Sequence, residues 1–90
     1  MEKVTVTVSN QVGLHARPAS LLVNLLKGYE CNIEFYKNGN DTKRYQPRSI
    51  LAVMALGAVK GDTLTFEAEG RDEKQAIEAI EEFIKSGCGE

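Results

Sequence analysis

Gly13-Leu14-His15-Ala16-Arg17-Pro18-Ala19 lies where one hydrophobic period gives way to another. Upstream, Val4, Val6 and Val8 alternate with Thr5 and Thr7, so residues 1–9 read as a half-buried strand. Downstream, Ala19, Leu22, Val23 and Leu26 recur at three- and four-residue spacing, so residues 16–27 read as an amphipathic helix with Gly28 as its C-terminal cap. Residues 10–14 connect the two. Proline is tolerated in the first turn of a helix, where backbone N–H groups have no intrahelical partner, and Pro18 therefore places the helix start at about His15. The imidazole then sits beside first-turn N–H groups and the positive end of the helix dipole, where an anion is favoured. Arg17 adds a guanidinium suited to phosphate oxygens. A lone histidine near a helix cap is more often structural. Here a nucleophile, an anion-favouring helix end and an arginine fall within three residues, and together they read as a phosphoryl-accepting histidine.

Working outward, Cys31, Ile33 and Phe35 alternate with Asn32, Glu34 and Tyr36 in a second strand. Lys37-Asn38-Gly39-Asn40-Asp41 carries turn chemistry, and Thr42–Tyr45 is expected to pair back as a short edge strand, with Lys43 and Arg44 suiting an exposed edge. Pro47-Arg48-Ser49 then leads into a second helix over 50–56, with Ser49 as N-cap and Gly57 as stop. That helix has no polar residue on any side, so it is either fully buried or partly an interface, and a chain this small favours the second. Leu64, Phe66 and Ala68 mark a fourth strand, which Gly70 breaks. Asp72 and Gln75 have capping-box spacing, and Ala76, Ile77, Ile80, Phe83 and Ile84 form the buried stripe of a third helix that Gly87 ends. Cys88-Gly89-Glu90 is expected to fray.

The order β-α-β-β-α-β-α predicts an α+β fold. The expectation is a two-layer open-faced β-sandwich, with a four-stranded sheet covered on one face by three helices and Thr5, Thr7, Thr63 and Thr65 lining the open face. Ninety residues allow one domain over 1–90 with a modest core. The formal net charge of −2 argues against general nucleic-acid binding. No apolar run approaches membrane-spanning length, and Met-Glu-Lys-Val lacks the apolar core of a signal peptide. Cys31 and Cys88 have neither metal nor redox spacing, so reduced thiols in a cytoplasm are the expectation.

GLHARPA resembles the active-site signature of the HPr family, the histidine-containing phosphocarriers of the phosphoenolpyruvate-dependent sugar phosphotransferase system. The later RSILAVMALG segment, the length and the order of elements extend the likeness over nearly the whole chain. The resemblance implies an antiparallel strand order of first, fourth, second, third. It implies that the δ nitrogen of His15 accepts phosphate from Enzyme I and passes it to a sugar-specific Enzyme IIA. The N–H groups of Ala16 and Arg17 would hold the phosphate oxygens, with the Arg17 side chain assisting and no cofactor or metal in this chain. Leu21, Ile50, Leu51 and Met54 would contribute a docking surface beside His15, with core packing as the rival role for each. Ser49 matches a serine that HPr kinase/phosphorylase modifies and through which a catabolite-control transcription factor is engaged, and phosphate at a helix N-terminus is physically favoured. A cytoplasmic monomer with no nucleic-acid partner and no membrane insertion is implied. The alternative is an HPr-like regulatory module, or a carrier in a nitrogen-linked or other non-sugar relay. Regulatory relatives lack the histidine that this chain keeps. Two departures stand out: Val12 replaces a small polar residue common in the family, and the hairpin after the second strand is about three residues longer.

Overall fold

The computed structural model describes residues 1–88. Three strands and three helices alternate in chain order: β1 (Glu2–Thr7), α1 (Ala16–Leu26), β2 (Asn32–Lys37), α2 (Ile50–Leu56), β3 (Thr63–Glu69) and α3 (Glu73–Lys85). The sheet order is β1-β3-β2, antiparallel throughout. Its register sets Val4 and Phe35 opposite Phe66, and Val6 opposite Leu64. One sheet face therefore carries Val6, Leu64, Phe66, Ala68, Ile33 and Phe35, all buried. The helices close over it with Leu22 and Leu26, Val53 and Leu56, and Ile77, Ile80 and Ile84. Phe35 and Phe66 stack at the centre with ring centroids 4.9 Å apart.

The other face is less open than expected. Thr5, Thr65 and Tyr36 form a row across the three strands, and the Thr5 and Thr65 hydroxyls lie 3.0 Å apart. Thr65 and Tyr36 are buried. The Arg44 guanidinium lies over the Tyr36 ring, 5.1 Å from its centroid, and pairs with Glu67 at 2.6 Å. Tyr36 also donates its hydroxyl to Glu67.

The edge strand expected over Thr42–Tyr45 does not form. Only Tyr45 pairs, as an isolated bridge in which Phe35 and Tyr45 exchange two backbone hydrogen bonds of 2.9 and 2.8 Å. The chain leaves β2 through Asn38 and Gly39, both left-handed, and coils on itself. Asn40 N–H bonds to Lys37 C=O, and Lys43 N–H bonds to Asn40 C=O. Asn38 is also tied to the start of β3, its side-chain oxygen accepting from Thr63 N–H. Residues that could have run back along β2 are spent in these turns, and Pro47, which has no N–H, then ends pairing.

The helix ends hold three further corrections. Gly28 is not a left-handed cap: α1 ends at Lys27, still right-handed. The carbonyls beyond it are taken instead by Arg48, whose guanidinium donates to Leu26 (3.2 Å), Tyr29 (2.6 Å) and Cys31 (2.9 Å). Asp72 is the N-cap of α3 but does not build a capping box. Its carboxylate turns away to accept from Glu30 and Cys31 N–H, while Glu73 accepts from Gly70 N–H. Cys88 does not fray: its side chain is buried and its N–H bonds to Phe83 C=O. The expectation for Gly89 and Glu90 lies outside the described residues.

Candidate functional site

The loop before α1 is built around its backbone. Gly13 has φ +66°, and a Cβ placed there would lie 2.2 Å from the Ala58 carbonyl oxygen and 2.7 Å from the Val59 Cα. Only glycine permits this approach and this torsion. It lets Leu14 N–H bond to Ala58 C=O at 3.0 Å, with the Leu14 side chain buried. The loop is thereby fastened to the segment that leaves α2. That segment is rigid in turn. Gly57 is left-handed, Gly61 N–H bonds to Val8 C=O, Val8 N–H bonds to Asp62 C=O, and the Asp62 carboxylate accepts from Val59 N–H. The Val59 amide first, and the Asn38 side chain next, hold the Asp62 carboxyl below the usual aspartate range.

His15 follows as the N-cap of α1, with extended backbone (φ −84°, ψ −167°), and its carbonyl accepts the first helical bond from Ala19. The helix thus begins where Pro18 predicts. An α-helix points the amides of its first turn outward along the axis. In α1 these belong to Ala16 and Arg17, because Pro18 carries no N–H. His15, Ala16 and Arg17 are all solvent-exposed, and no acidic residue lies in the first turn. The arrangement presents an imidazole, two amides and a guanidinium together at a helix start, which suits a tetrahedral anion bound at the ring.

The other predicted residues lie on α1 and α2, which pack against each other. Ser49 is the N-cap of α2, exposed, its Oγ accepting from Ala52 N–H at 3.2 Å. Leu21, Ile50 and Met54 are exposed at their outer faces, and Leu51 is 82% exposed. None of the four belongs to the core, whose share of α2 falls to Val53 and Leu56. Sequence reasoning missed Val59, an exposed valine, and treated Val12 only as a departure. The Gly13–Val59 approach brings the two loops that carry them side by side. It also missed Arg48 and Asn10. No aspartate or glutamate occurs in residues 3–29 or 42–61. Those two segments hold His15, α1, α2 and seven of the eleven lysines and arginines. No group of three His, Cys, Asp or Glu side chains is placed to hold a metal ion among the described residues, and no helix there is long and apolar enough to cross a membrane.

The family model described as "PTS HPr component phosphorylation site" matches residues 2–86. The multiphosphoryl transfer protein of Haemophilus influenzae is 39% identical over 83 residues, which are 92% of this chain and 17% of that protein. Its counterpart in Salmonella typhimurium is 42% identical over 83 residues, 92% of this chain and 22% of that protein. This chain thus spans about a fifth of the length of those curated relatives. Among solved structures, HPr-C-His from Thermoanaerobacter tengcongensis superposes with a TM-score of 0.89 at 38% identity, covering 100% of this chain and 98% of that one. The phosphocarrier protein HPr from Bacillus anthracis superposes with a TM-score of 0.83 at 32% identity, covering 92% and 95%.

Proposed function

We propose a function that proceeds from one premise: this chain belongs to the PTS HPr family. It is a phosphocarrier, and His15 is the residue that carries the phosphoryl group, accepting it from Enzyme I and passing it to a sugar-specific Enzyme IIA. The observation that supports this most is the position of His15 as the exposed N-cap of α1, with Ala16, Arg17 and Pro18 completing the first turn.

In the first transfer, an imidazole nitrogen of His15 attacks the phosphorus of the donor's phosphohistidine. The new N–P bond forms as the donor's N–P bond breaks, and the donor imidazole leaves with the bonding pair. The transferred group keeps its negative charge throughout. Amides and a guanidinium already in place at the helix start stabilise that charge without having to reorganise. The second transfer runs the same chemistry with His15 as the leaving group. A phosphorylated imidazole suits a relay because it holds the group and yet releases it readily.

Both steps bring two imidazoles together and exclude water, so apolar contact around the site is useful. Leu21, Ile50, Leu51 and Met54 are the proposed docking residues, extended by Val12 and Val59. The absence of acidic residues from α1, α2 and the loop that carries His15 favours partners with an acidic rim. Ser49, exposed at the start of α2, is the proposed regulatory position. A phosphate there would be the work of an HPr kinase/phosphorylase and a signal to a catabolite-control transcription factor. A reducing cytoplasm is the proposed setting.

The test is incubation with phosphoenolpyruvate and a general Enzyme I, followed by intact mass measurement. The chain should gain one acid-labile phosphoryl group, and His15→Ala should gain none while melting normally. Undiminished labelling of His15→Ala would refute the assignment.

A further inference from the structure

We infer that Asn10 is a positioning residue for His15, acting through the single peptide unit that joins Gly13 to Leu14. The inference rests on the phosphocarrier reading of His15. The peptide in question is held at both ends. Its carbonyl, that of Gly13, accepts from the Asn10 side-chain Nδ2 at 2.8 Å. Its N–H, that of Leu14, donates to Ala58 C=O at 3.0 Å. A third bond, from Gly13 N–H to the Asn10 carbonyl at 3.3 Å, closes the turn over residues 10–13. With this peptide plane fixed and the Leu14 side chain buried at 3% exposure, the path of the chain into the N-cap is set. What remains variable at His15 is largely its own torsions.

Asn10 does this from the inside. Its exposure is 9%, and its Oδ1 is buried with no hydrogen-bond partner among the described residues. A buried acceptor in that state opposes folding, and an apolar side chain of similar shape would avoid it. Leucine would remove that orphan but leave the Gly13 carbonyl without this donor, so stability alone gives the amide no clear advantage, and the one bond its side chain makes is to the turn that leads into His15. Val12, the side chain in this loop nearest His15 apart from Leu14, is apolar and exposed and offers no hydrogen bond that could do the same.

Asn10→Leu separates aiming from folding, because it keeps the branching at Cγ, removes the donor to Gly13 and also removes the orphaned oxygen. Single-turnover transfer from phosphorylated Enzyme I should fall by about ten-fold or more at saturating donor, with the concentration for half-maximal rate unchanged, since misplacement of a reacting group lowers the rate and leaves docking intact. Exchange of the Leu14 amide with solvent should quicken while the amides of β3 stay protected and the melting temperature stays near that of the unaltered chain. If Asn10→Leu does not fold, Asn10→Ala is read in the same way. A variant that folds and transfers at the normal rate overturns the inference whether or not Leu14 exchange quickens, because the turn is then structural only. A change confined to the half-saturating donor concentration overturns it too, because Asn10 then affects docking and not aiming. The unaltered chain is run beside the variants. If it takes no phosphate, the reading of His15 fails and this inference falls with it; if it and the variants are labelled alike, only the inference fails.

Discussion

Gly13→Ala puts the whole construction of the site to a quantitative test. An L-residue at φ +66° costs about 1–2 kcal/mol relative to glycine. The added Cβ would meet the Ala58 carbonyl oxygen at 2.2 Å, so the two loops must part by roughly 1 Å to restore ordinary contact. That movement breaks or weakens the buried bond from Leu14 N–H to Ala58 C=O, worth about 0.5–1.5 kcal/mol net. The expected loss is therefore about 2–3 kcal/mol, reduced by about 0.4–1 kcal/mol because alanine stiffens the unfolded chain. Gly39→Ala is the matched control: Gly39 has φ +75° but nothing within 4 Å of its Cβ position. It bears the same torsional cost and the same unfolded-state gain, and none of the collision. Urea denaturation followed by circular dichroism should therefore place Gly13→Ala below Gly39→Ala by about 1 kcal/mol or more, or about 4–8 °C of melting temperature per kcal/mol in a domain of this size. The functional consequence is larger, because a displacement of about 1 Å at a reacting group can lower a rate by about a hundred-fold. Phosphoryl transfer to His15 should fall accordingly in Gly13→Ala and remain normal in Gly39→Ala. If the two variants are equally stable and equally active, the loop is not held against Ala58 as described, and the account of how His15 is positioned fails.

Other substitutions probe the remaining supports. Arg48→Met removes a guanidinium shared by three carbonyls and should cost about 2–4 kcal/mol in denaturant; Arg48→Lys should not restore it, because one ammonium lacks the planar fork that spans residues 26, 29 and 31, and full stability of either variant would refute the bracing role. Asp72 has its carboxyl held below the usual aspartate range, chiefly by the Glu30 N–H and further by Cys31. Such a group contributes stability above its unfolded pKa of about 3.9, and that contribution is lost as pH falls through the lower folded value. The gap in melting temperature between the unaltered chain and Asp72→Asn should thus be full at pH 7 and shrink below about pH 4; a gap that does not vary with pH counts against it. On α2, Leu51→Ala should change stability by less than about 0.5 kcal/mol yet raise the Michaelis constant for a phosphoryl partner, whereas Leu56→Ala should cost about 2–5 kcal/mol. Normal kinetics for Leu51→Ala and Met54→Ala together would remove the docking surface.

Much of the fold is legible in the sequence because burial on one face leaves a period. The two-residue alternation of Val4 to Val8 and of Leu64 to Ala68, and the three- and four-residue spacing of α1 and α3, each state which side of an element is inside. Local chemistry was equally readable where both partners sit within one turn. Pro18 marks the start of α1, Ser49 does bond to Ala52 N–H, and Gly57 does end α2 in a left-handed turn. The expected strand order also holds for the three strands that form.

Apart from Cys88, whose N–H bonds to nearby Phe83, the misreadings share a cause. At each of the others, a group that could have served its neighbours was taken by a residue far away in sequence. Asp72 had the right spacing for a capping box but bonds to the amides of Glu30 and Cys31, about forty residues earlier. Gly28 looked like a helix stop, but the carbonyls beyond α1 are satisfied by Arg48. Lys37–Asp41, with its Asn38-Gly39 pair, looked like a hairpin turn, but Asn38 is bound to Thr63 and the following residues coil, leaving one bridge where a strand was expected. For the site the division is the same. His15, the helix start and Arg17 stand within three residues and could be read directly. Their support could not, because Gly13 against Ala58 and Val59 is the product of two loops meeting across more than forty residues, and the Asn10 amide, though only three residues from Gly13, is a side-chain bond that no periodicity marks. A sequence displays periodicity and adjacency. Which distant carbonyl an amide reaches is decided only when the sheet register and helix packing have set the distances between them.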